Sequence, residues 1–366
     1  MKNYYFISQF YAPYPGSFIA SLVQLARELE KKGNSVTFVF PNLARDCTWI
    51  HEITTAHDVM YTSSKVHTNT VYNELLHMFK NKKPDVVHSH FDGYDINVAK
   101  AAKHFNSIVI WHVRCHMGYS HIPRIAIRQM IGYVNKFFYC ARKYKVYSVC
   151  VSKEMEKFII LHGFKKLRVT TITNGIDISK LNFKKVASPD LFKFLTFGGR
   201  NISKRIDIIC EAEKIIPKHY AFEIIITEGV DTKTVVKARG SNNGRIKIVS
   251  QTRDVQDLYS NSNAYISASV GETFSNAIAE ASFSGLLIIQ SDIEGTRWNQ
   301  SNPNTLVFKV NNHISLAECM MKAMDKSRAE LQRIALENHC FIKTKFSISS
   351  WAEEMLNFYK KIINNI

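Results

Sequence analysis

The chain has 366 residues, 46% of them hydrophobic, enough to bury one large core and more readily two. No run approaches the roughly 18 apolar residues of a membrane-spanning helix, and the N-terminus reads as a strand, not as a signal peptide. The net charge is +17 and unevenly placed: residues 1–185 hold 26 Lys+Arg against 12 Asp+Glu, residues 186–366 hold 22 against 19, so an anionic partner is expected on the N-terminal half.

In chain order, residues 4–8 form the first predicted strand, followed by a proline-rich loop that contains Gly16. An amphipathic helix follows, with Leu22, Leu25 and Leu29 on one face and Gly33 at its end. Further strands are predicted at 35–40, 85–88, 107–111 and 147–151, each next to a helical pattern. A second series runs through 192–197, 222–226, 245–249, 264–267 and 286–290. Between the series lie Asn174-Gly175-Ile176-Asp177 and a polar stretch to Pro189, which places a domain boundary near 186. The expected division is 1–185, 186–345 and a C-terminal helix at 346–366 packing back toward the N-terminal domain on Trp351, Met355, Phe358 and Tyr359. Strand and helix in alternation predict an α/β chain of two Rossmann-like, doubly wound domains, with a ligand cleft at the C-terminal ends of the strands.

The seven cysteines are odd in number and none are spaced as Cys-x-x-Cys, which points to reduced thiols in a cytoplasmic protein. There is no G-x-G-x-x-G fingerprint, no Walker A loop and no D-x-D triplet, which weighs against dehydrogenases, NTPases and metal-dependent transferases.

The most informative stretch is Gly271-Glu272-Thr273-Phe274-Ser275-Asn276-Ala277-Ile278-Ala279-Glu280-Ala281. Glu272 precedes a small-residue helix and Glu280 lies eight positions on, about 12 Å at a helical rise of about 1.5 Å per residue. That separation exceeds what a glycosidase carboxylate pair uses and suits the two ends of a nucleotide sugar. Backbone amides near Phe274, Ser275 and Asn276 would receive phosphate at the helix start. Phe197-Gly198-Gly199-Arg200-Asn201-Ile202-Ser203-Lys204-Arg205-Ile206-Asp207 supplies cations at another loop-to-helix transition. Without a metal, a departing diphosphate needs such cations and amides.

With those residues in place, the chain resembles, over nearly its whole length, a GT-B glycosyltransferase of family 4. The two-glutamate motif followed by Gly285 and Ser291-Asp292-Ile293-Glu294-Gly295 carries most of the likeness. The Gly199-Arg200…Lys204 element comes next. Asp85-Val86-Val87-His88-Ser89-His90, Val151-Ser152-Lys153-Glu154 and Ile172-Thr173-Asn174-Gly175-Ile176-Asp177 match more weakly. The resemblance implies two domains facing across a cleft and a retaining, metal-independent, cofactor-free hexosyl- or N-acetylhexosaminyl-transferase. The donor it implies is a nucleotide-diphosphate sugar, with UDP expected, and the acceptor a glycan or a lipid-linked sugar in cell-surface polysaccharide or glycoconjugate synthesis. It assigns Arg200 and Lys204 to the diphosphate, Glu280 to the ribose hydroxyls, and Glu272 with the amides of 274–276 to donor sugar or phosphate. Thr273 and Gly199 fall within the same nucleotide-sugar site. His112 matches a histidine beside the transferred sugar, with His116 as a rival, and Gly16 a glycine close to donor and acceptor. Base contacts would fall to backbone near 227–229 and 251–254.

The sequence also departs from the pattern. The Arg200–Lys204 spacing is about one residue short and Arg205 stands where glycine often follows, leaving Lys204 and Arg205 as alternatives for the phosphate. Ser17 replaces a second glycine, Leu286 a proline, and Trp298 falls near an expected acid.

At about 100° per residue, Arg124, Arg128, Lys136 and Arg142 share one arc, opposite Met130, Ile131, Val134, Phe137 and Phe138. Such a helix suits an anionic bilayer and equally suits packing its apolar face on a sheet. With the charge bias, the expectation is a cytoplasmic protein bound peripherally to the inner membrane face, with no nucleic acid partner. The rival readings are a sugar-nucleotide 2-epimerase or phosphorylase on the same architecture, and a basic nucleic-acid-binding module, for which no signature is present.

Overall fold

Strand β1 (Asn3–Ser8) buries Tyr4 and Phe6 in one apolar cluster and Tyr5 and Ile7 in another. Successive side chains of a strand point to opposite faces, so both faces of this sheet are covered. The computed structural model describes residues 1–364 apart from 67, 116, 121, 184–190, 241–243 and 253. Contacts divide the chain into two units, Met1–Gly175 with Ile348–Ile366, and Ile176–Ser347.

In the first unit β1 is joined by β2 (Ser35–Pro41), β3 (Asp58–Thr62), β4 (Val86–His90), β5 (Ile108–Val113), β6 (Tyr147–Cys150) and β7 (Val169–Thr171). They form one parallel sheet in the order β3-β2-β1-β4-β5-β6-β7. The order reverses between β1 and β4, which opens a crevice at their C-terminal ends. One face packs on the helix Gly16–Glu30 through Leu22, Leu25 and Leu29, and on the final helix Ile348–Asn364 through Trp351, Met355 and Tyr359. The Tyr4 and Tyr359 rings lie 5.5 Å apart. The other face packs on the helix Asn69–Asn81 through Val71, Leu75 and Phe79.

The second unit holds β8 (Phe192–Thr196), β9 (Phe222–Thr227), β10 (Ile246–Val249), β11 (Ala264–Ser267), β12 (Leu287–Ser291) and β13 (Leu306–Phe308). This sheet is again parallel, in the order β10-β9-β8-β11-β12-β13, with its reversal between β8 and β11. Alternate residues again divide between faces: Phe194, Ile224, Ile226 and Ile289 in one cluster, Leu195, Ile225, Tyr265 and Ile288 in the other.

The boundary expected near 186 falls outside the described residues. The chain passes into the second unit earlier, because the Ile176 amide already bonds the Phe346 carbonyl (2.7 Å) and Ile176 and Leu181 join the second unit's core. Residues 346 and 347 likewise lie in the second unit, and the final helix from Ile348 lies in the first. Strands β3, β7 and β13 had no counterpart in the sequence reading.

Candidate functional site

In the second unit β8 and β11 pair directly across the reversal, so the loops leaving their C-terminal ends lie side by side. The loop after β8 is fixed by glycines. A Cβ on Gly198 would meet the Thr227 carbonyl oxygen at 2.0 Å, and one on Gly229 the Gly199 nitrogen at 2.1 Å. Only bare backbone lets the loops after β8 and β9 close on each other. The Gly198 amide bonds Thr227 Oγ1 (2.9 Å), and both Asp231 carboxylate oxygens accept from the Asn201 amide (2.9 and 3.0 Å).

That clamp starts a short helix, Asn201–Lys204, with Arg200 just before it and exposed. Lys204 Nζ reaches Glu272 Oε1 at 2.6 Å, and Ser269 Oγ donates to the same oxygen at 2.9 Å. Arg205 turns away: its backbone has φ +52°, and its guanidinium grips Asp207 (3.0 and 2.9 Å) and bonds Asn311. Of the two cations, Lys204 is therefore the one beside Glu272.

After β11 the chain does not enter a helix at Glu272. Residues 272–275 are irregular, Ser275 has φ +64°, and the helix is Asn276–Phe283. Glu280 thus lies about one turn into the helix, not two, and the helical rise does not measure its distance from Glu272. Ile278 and Ala279 are the first amides to bond back, to the Ser275 carbonyl (3.1 and 3.4 Å). The amides of Asn276 and Ala277 find no acceptor among the described residues, leaving the donors that a helix start presents to an anion. Phe274 is buried and stacks on Trp298 (4.7 Å, 18°), whose indole nitrogen donates to the Phe274 carbonyl at 2.6 Å. Trp298 thus braces the loop where an acid was expected. Thr273 is half-buried in the same loop. Gly295 passes so close that a Cβ there would lie 1.7 Å from the Glu272 carbonyl oxygen.

Glu280 is half-buried and accepts from Tyr259 Oη at 3.1 Å. Burial pushes its carboxyl up to about 7; the Tyr259 hydrogen bond pulls the other way and Asp177 adds to the rise. Gln251 Nε2 donates to the Glu228 carbonyl (2.9 Å), which joins the loops after β9 and β10; residue 253 lies outside the described residues.

In the first unit, β4 and β5 bring His88, His90 and His112 together, all buried. Tyr359 Oη and His88 Nδ1 are 2.6 Å apart, and His88 Nε2 and His112 Nδ1 are 3.2 Å apart. The chain of hydrogen bonds leaves His112 Nε2 buried without a partner among the described residues. Arg114 Nε donates to His90 Nδ1 (3.3 Å) and Nη1 to Asn174 Oδ1 (2.8 Å), with Phe18 and Trp351 rings against the guanidinium. Burial first, and then the Arg114 charge, holds all three histidines well below their ordinary range, with His88 adding to the effect at His90 and His112, so they are neutral. Arg114 itself is pushed down to about 9 by burial and stays cationic at neutral pH.

The three histidines have ligand atoms within 4.8 Å of one another, the spacing of a possible metal cluster. Their bonding opposes that use. Both His88 nitrogens are engaged, and His90 Nδ1 faces a guanidinium that would repel a divalent ion. Arg114 was missed in the sequence, although its two-residue spacing from His112 on a strand end was a usable sign. Gly16 is exposed at the first residue of its helix with φ +52°, and His116 lies outside the described residues.

The helix Pro123–Val134 departs from its sequence reading in two ways. Lys136 does not share the basic arc: it is buried in an ion pair with Asp95 (2.5 Å) and also bonds Asp92. Burial works against its charge, but the two carboxylates hold it above its ordinary range. Residues Asn135–Cys140 form a wider π-helical turn; Phe137 packs inside it, while Phe138 in the turn and Met130 and Ile131 before it stay exposed. Among the described residues no helix is long and apolar enough to cross a membrane.

Comparison with known proteins agrees with this fold. A family model described as Glycosyltransferase Family 4 matches residues 20–180, and one described as Glycosyl transferases group 1 matches residues 192–326. No curated protein matches by sequence. Among solved structures, Anabaena HepE in complex with UDP and glucose is 14% identical, with 99% of this chain and 100% of that one covered at a TM-score of 0.78. A glycosyltransferase from Rickettsia africae is 17% identical with both chains fully covered (100% and 100%) at 0.76. Sucrose-phosphate synthase from Thermosynechococcus elongatus is 14% identical, again over 100% of both chains, at 0.77. At these identities the structures speak for the fold.

Proposed function

This chain belongs to the GT-B glycosyltransferases of the family 4 type, and from that premise we propose that it moves a hexosyl or N-acetylhexosaminyl group from a UDP-linked sugar to a glycan or lipid-linked acceptor. The observation that carries the reading is the cradle in the second unit: two free helix-start amides, an exposed Arg200, and Lys204 held on Glu272. When a sugar–diphosphate bond breaks, negative charge grows on the departing phosphate. Arg200, Lys204 and those amides meet that charge without a metal. Glu280 keeps lone pairs free for ribose hydroxyls, since Tyr259 uses only one. Glu272, tied to Lys204 through one oxygen, keeps the other for donor sugar hydroxyls.

UDP is favoured because Anabaena HepE, of the same fold, binds UDP with glucose. Retention of configuration fits a site in which no side chain offers itself as a nucleophile and the diphosphate takes the acceptor's proton. His112, near the end of β5, and Gly16, at the start of its helix, would serve the sugar and acceptor side. A basic first unit suits peripheral binding at the inner face of the cytoplasmic membrane, where a lipid-linked acceptor for cell-surface polysaccharide would be met.

The test is a thermal-shift screen with UDP-, GDP-, ADP- and TDP-sugars. Stabilisation by the UDP-sugar is expected, and it should vanish in Arg200→Ala. Stabilisation that survives in both Arg200→Ala and Glu280→Ala would place the nucleotide elsewhere and refute the reading.

A further inference from the structure

The helix Pro123–Val134 buries none of its residues, although it is rich in isoleucine. Ile127 and Ile131 are 57% and 62% exposed, one turn apart on the outer face. Met130 is exposed on the adjoining flank, Phe138 and Tyr139 are exposed within the π-helical turn, and Ile122 and Ile125 are exposed on the far side. Arg124 and Arg128 form a second exposed row, about 60° around the helix from the isoleucines at 100° per residue. None of the described residues of the first unit covers this face, and water alone is a poor partner for it.

The charge along this stretch is basic, with Asp92, paired to Lys136, the exposed acid beside it. Between Asp95 and Glu154 the sequence has ten Lys+Arg and no Asp or Glu. Lys136 and Arg114 are used inside the unit, but the other eight are exposed. At the end of the helical segment Arg142 lies over the Phe138 ring (4.2 Å) and donates to the Gly163 carbonyl. It also lines a cavity of about 150 Å³ with Lys145, Lys165 and Arg168, and no carboxylate shares that lining. Leu161 and Leu167 nearby in sequence are 82% and 99% exposed.

We infer that residues 122–143 form an interfacial anchor that lies flat on an anionic bilayer. Ile127, Ile131 and Phe138 enter the acyl boundary, Arg124 and Arg128 reach up to lipid phosphates, and the Arg142–Lys145–Lys165–Arg168 cavity takes a headgroup phosphate. Aliphatic side chains interleaved with arginines are what such a helix needs: burial of apolar area supplies adhesion, and anionic lipid adds to it. A second copy of this chain would press two cationic faces together. A nucleic acid would use the cations but give the exposed isoleucines no apolar partner. The inference deepens the peripheral-membrane reading above and names the surface that performs it.

The experiment is sedimentation of the full chain with vesicles of phosphatidylcholine, with and without phosphatidylglycerol, at moderate salt. Wild type is expected to bind the phosphatidylglycerol vesicles. The double variant Ile127→Asp with Ile131→Asp should bind at least roughly tenfold more weakly, and Arg124→Gln and Arg128→Gln about fivefold more weakly each. Because these side chains are exposed, the fold should persist, and the thermal shift with UDP on the same preparations reports on it and separately on the transferase reading. Wild type that ignores phosphatidylglycerol, or an isoleucine variant that binds like wild type, overturns the inference. So does binding to RNA that depends on the arginines and is indifferent to the isoleucines.

Discussion

Replacing Glu280 by glutamine should strengthen the empty protein while weakening its grip on nucleotide. Burial raises the Glu280 carboxyl from 4.5 to about 7. Holding it ionised in the folded protein therefore costs, at about 1.4 kcal/mol per pKa unit, on the order of 3 kcal/mol. The sign follows from linkage: the folded state takes the proton more readily than the unfolded one. Below about pH 4.5 the wild type bears no penalty; the penalty grows as pH rises and is complete above about 7. Glutamine has no charge to hold, and its carbonyl can still accept from Tyr259. Glu280→Gln should therefore melt close to wild type near pH 4.5 and several degrees higher at pH 8.5, at about 2–4 °C per kcal/mol for a unit of this size. With UDP present the order should reverse at pH 8.5, because charge-assisted bonds to ribose, about 1.5–3 kcal/mol each, are lost. Differential scanning fluorimetry at both pH values, with and without UDP, measures all four numbers. A difference between the empty proteins that does not change with pH, or a UDP shift equal to that of wild type, would refute the reasoning.

Gly295→Ala should lower the melting temperature and slow sugar transfer at least roughly tenfold, since its Cβ can be housed only by displacing Glu272; a wild-type rate in a product assay would show that the loop can give. Lys136→Met strands Asp95, whose buried carboxyl already sits at about 6, and should cost about 3–5 kcal/mol in urea unfolding at pH 8. That loss should shrink as the pH falls from 8 toward 6, because without Lys136 the Asp95 carboxyl takes up its proton above its wild-type midpoint; a pH-independent loss would contradict the assignment. Tyr359→Phe removes the hydroxyl at the head of the His88–His112 chain. Imidazole nitrogen shifts by NMR should change at His112 as well as at His88, and a change confined to His88 would show that the chain transmits nothing.

Central strands were readable because burial on both faces forces apolar runs, as at 224–226 and 286–289. β3, β7 and β13 escaped because they sit at or near sheet edges, are only three to five residues long and are partly exposed. At the site, residue type and their order along the chain pointed to Glu272, Glu280, Arg200 and Lys204. The contact between Lys204 and Glu272, the αL reversal at Ser275 and the Trp298 brace depend on loop geometry, which leaves no period in a sequence. Lys136 was misplaced because a wheel shows which residues share a face but not which face turns inward: it falls beside the half-buried Ala126, Gln129 and Tyr133, against the buried Asp95.

The final helix has one more consequence. Trp351, Met355, Phe358 and Tyr359 complete the core built around β1 and β2, yet they are translated after the whole second unit. On the ribosome the first unit begins first and finishes last, with one flank of its sheet bare while about half of the chain is still being made. A nascent chain halted near residue 345 should hold a second unit able to fold and a first unit open to chaperones and proteases. Carboxy-terminal truncation would therefore be felt at the opposite end of the sequence.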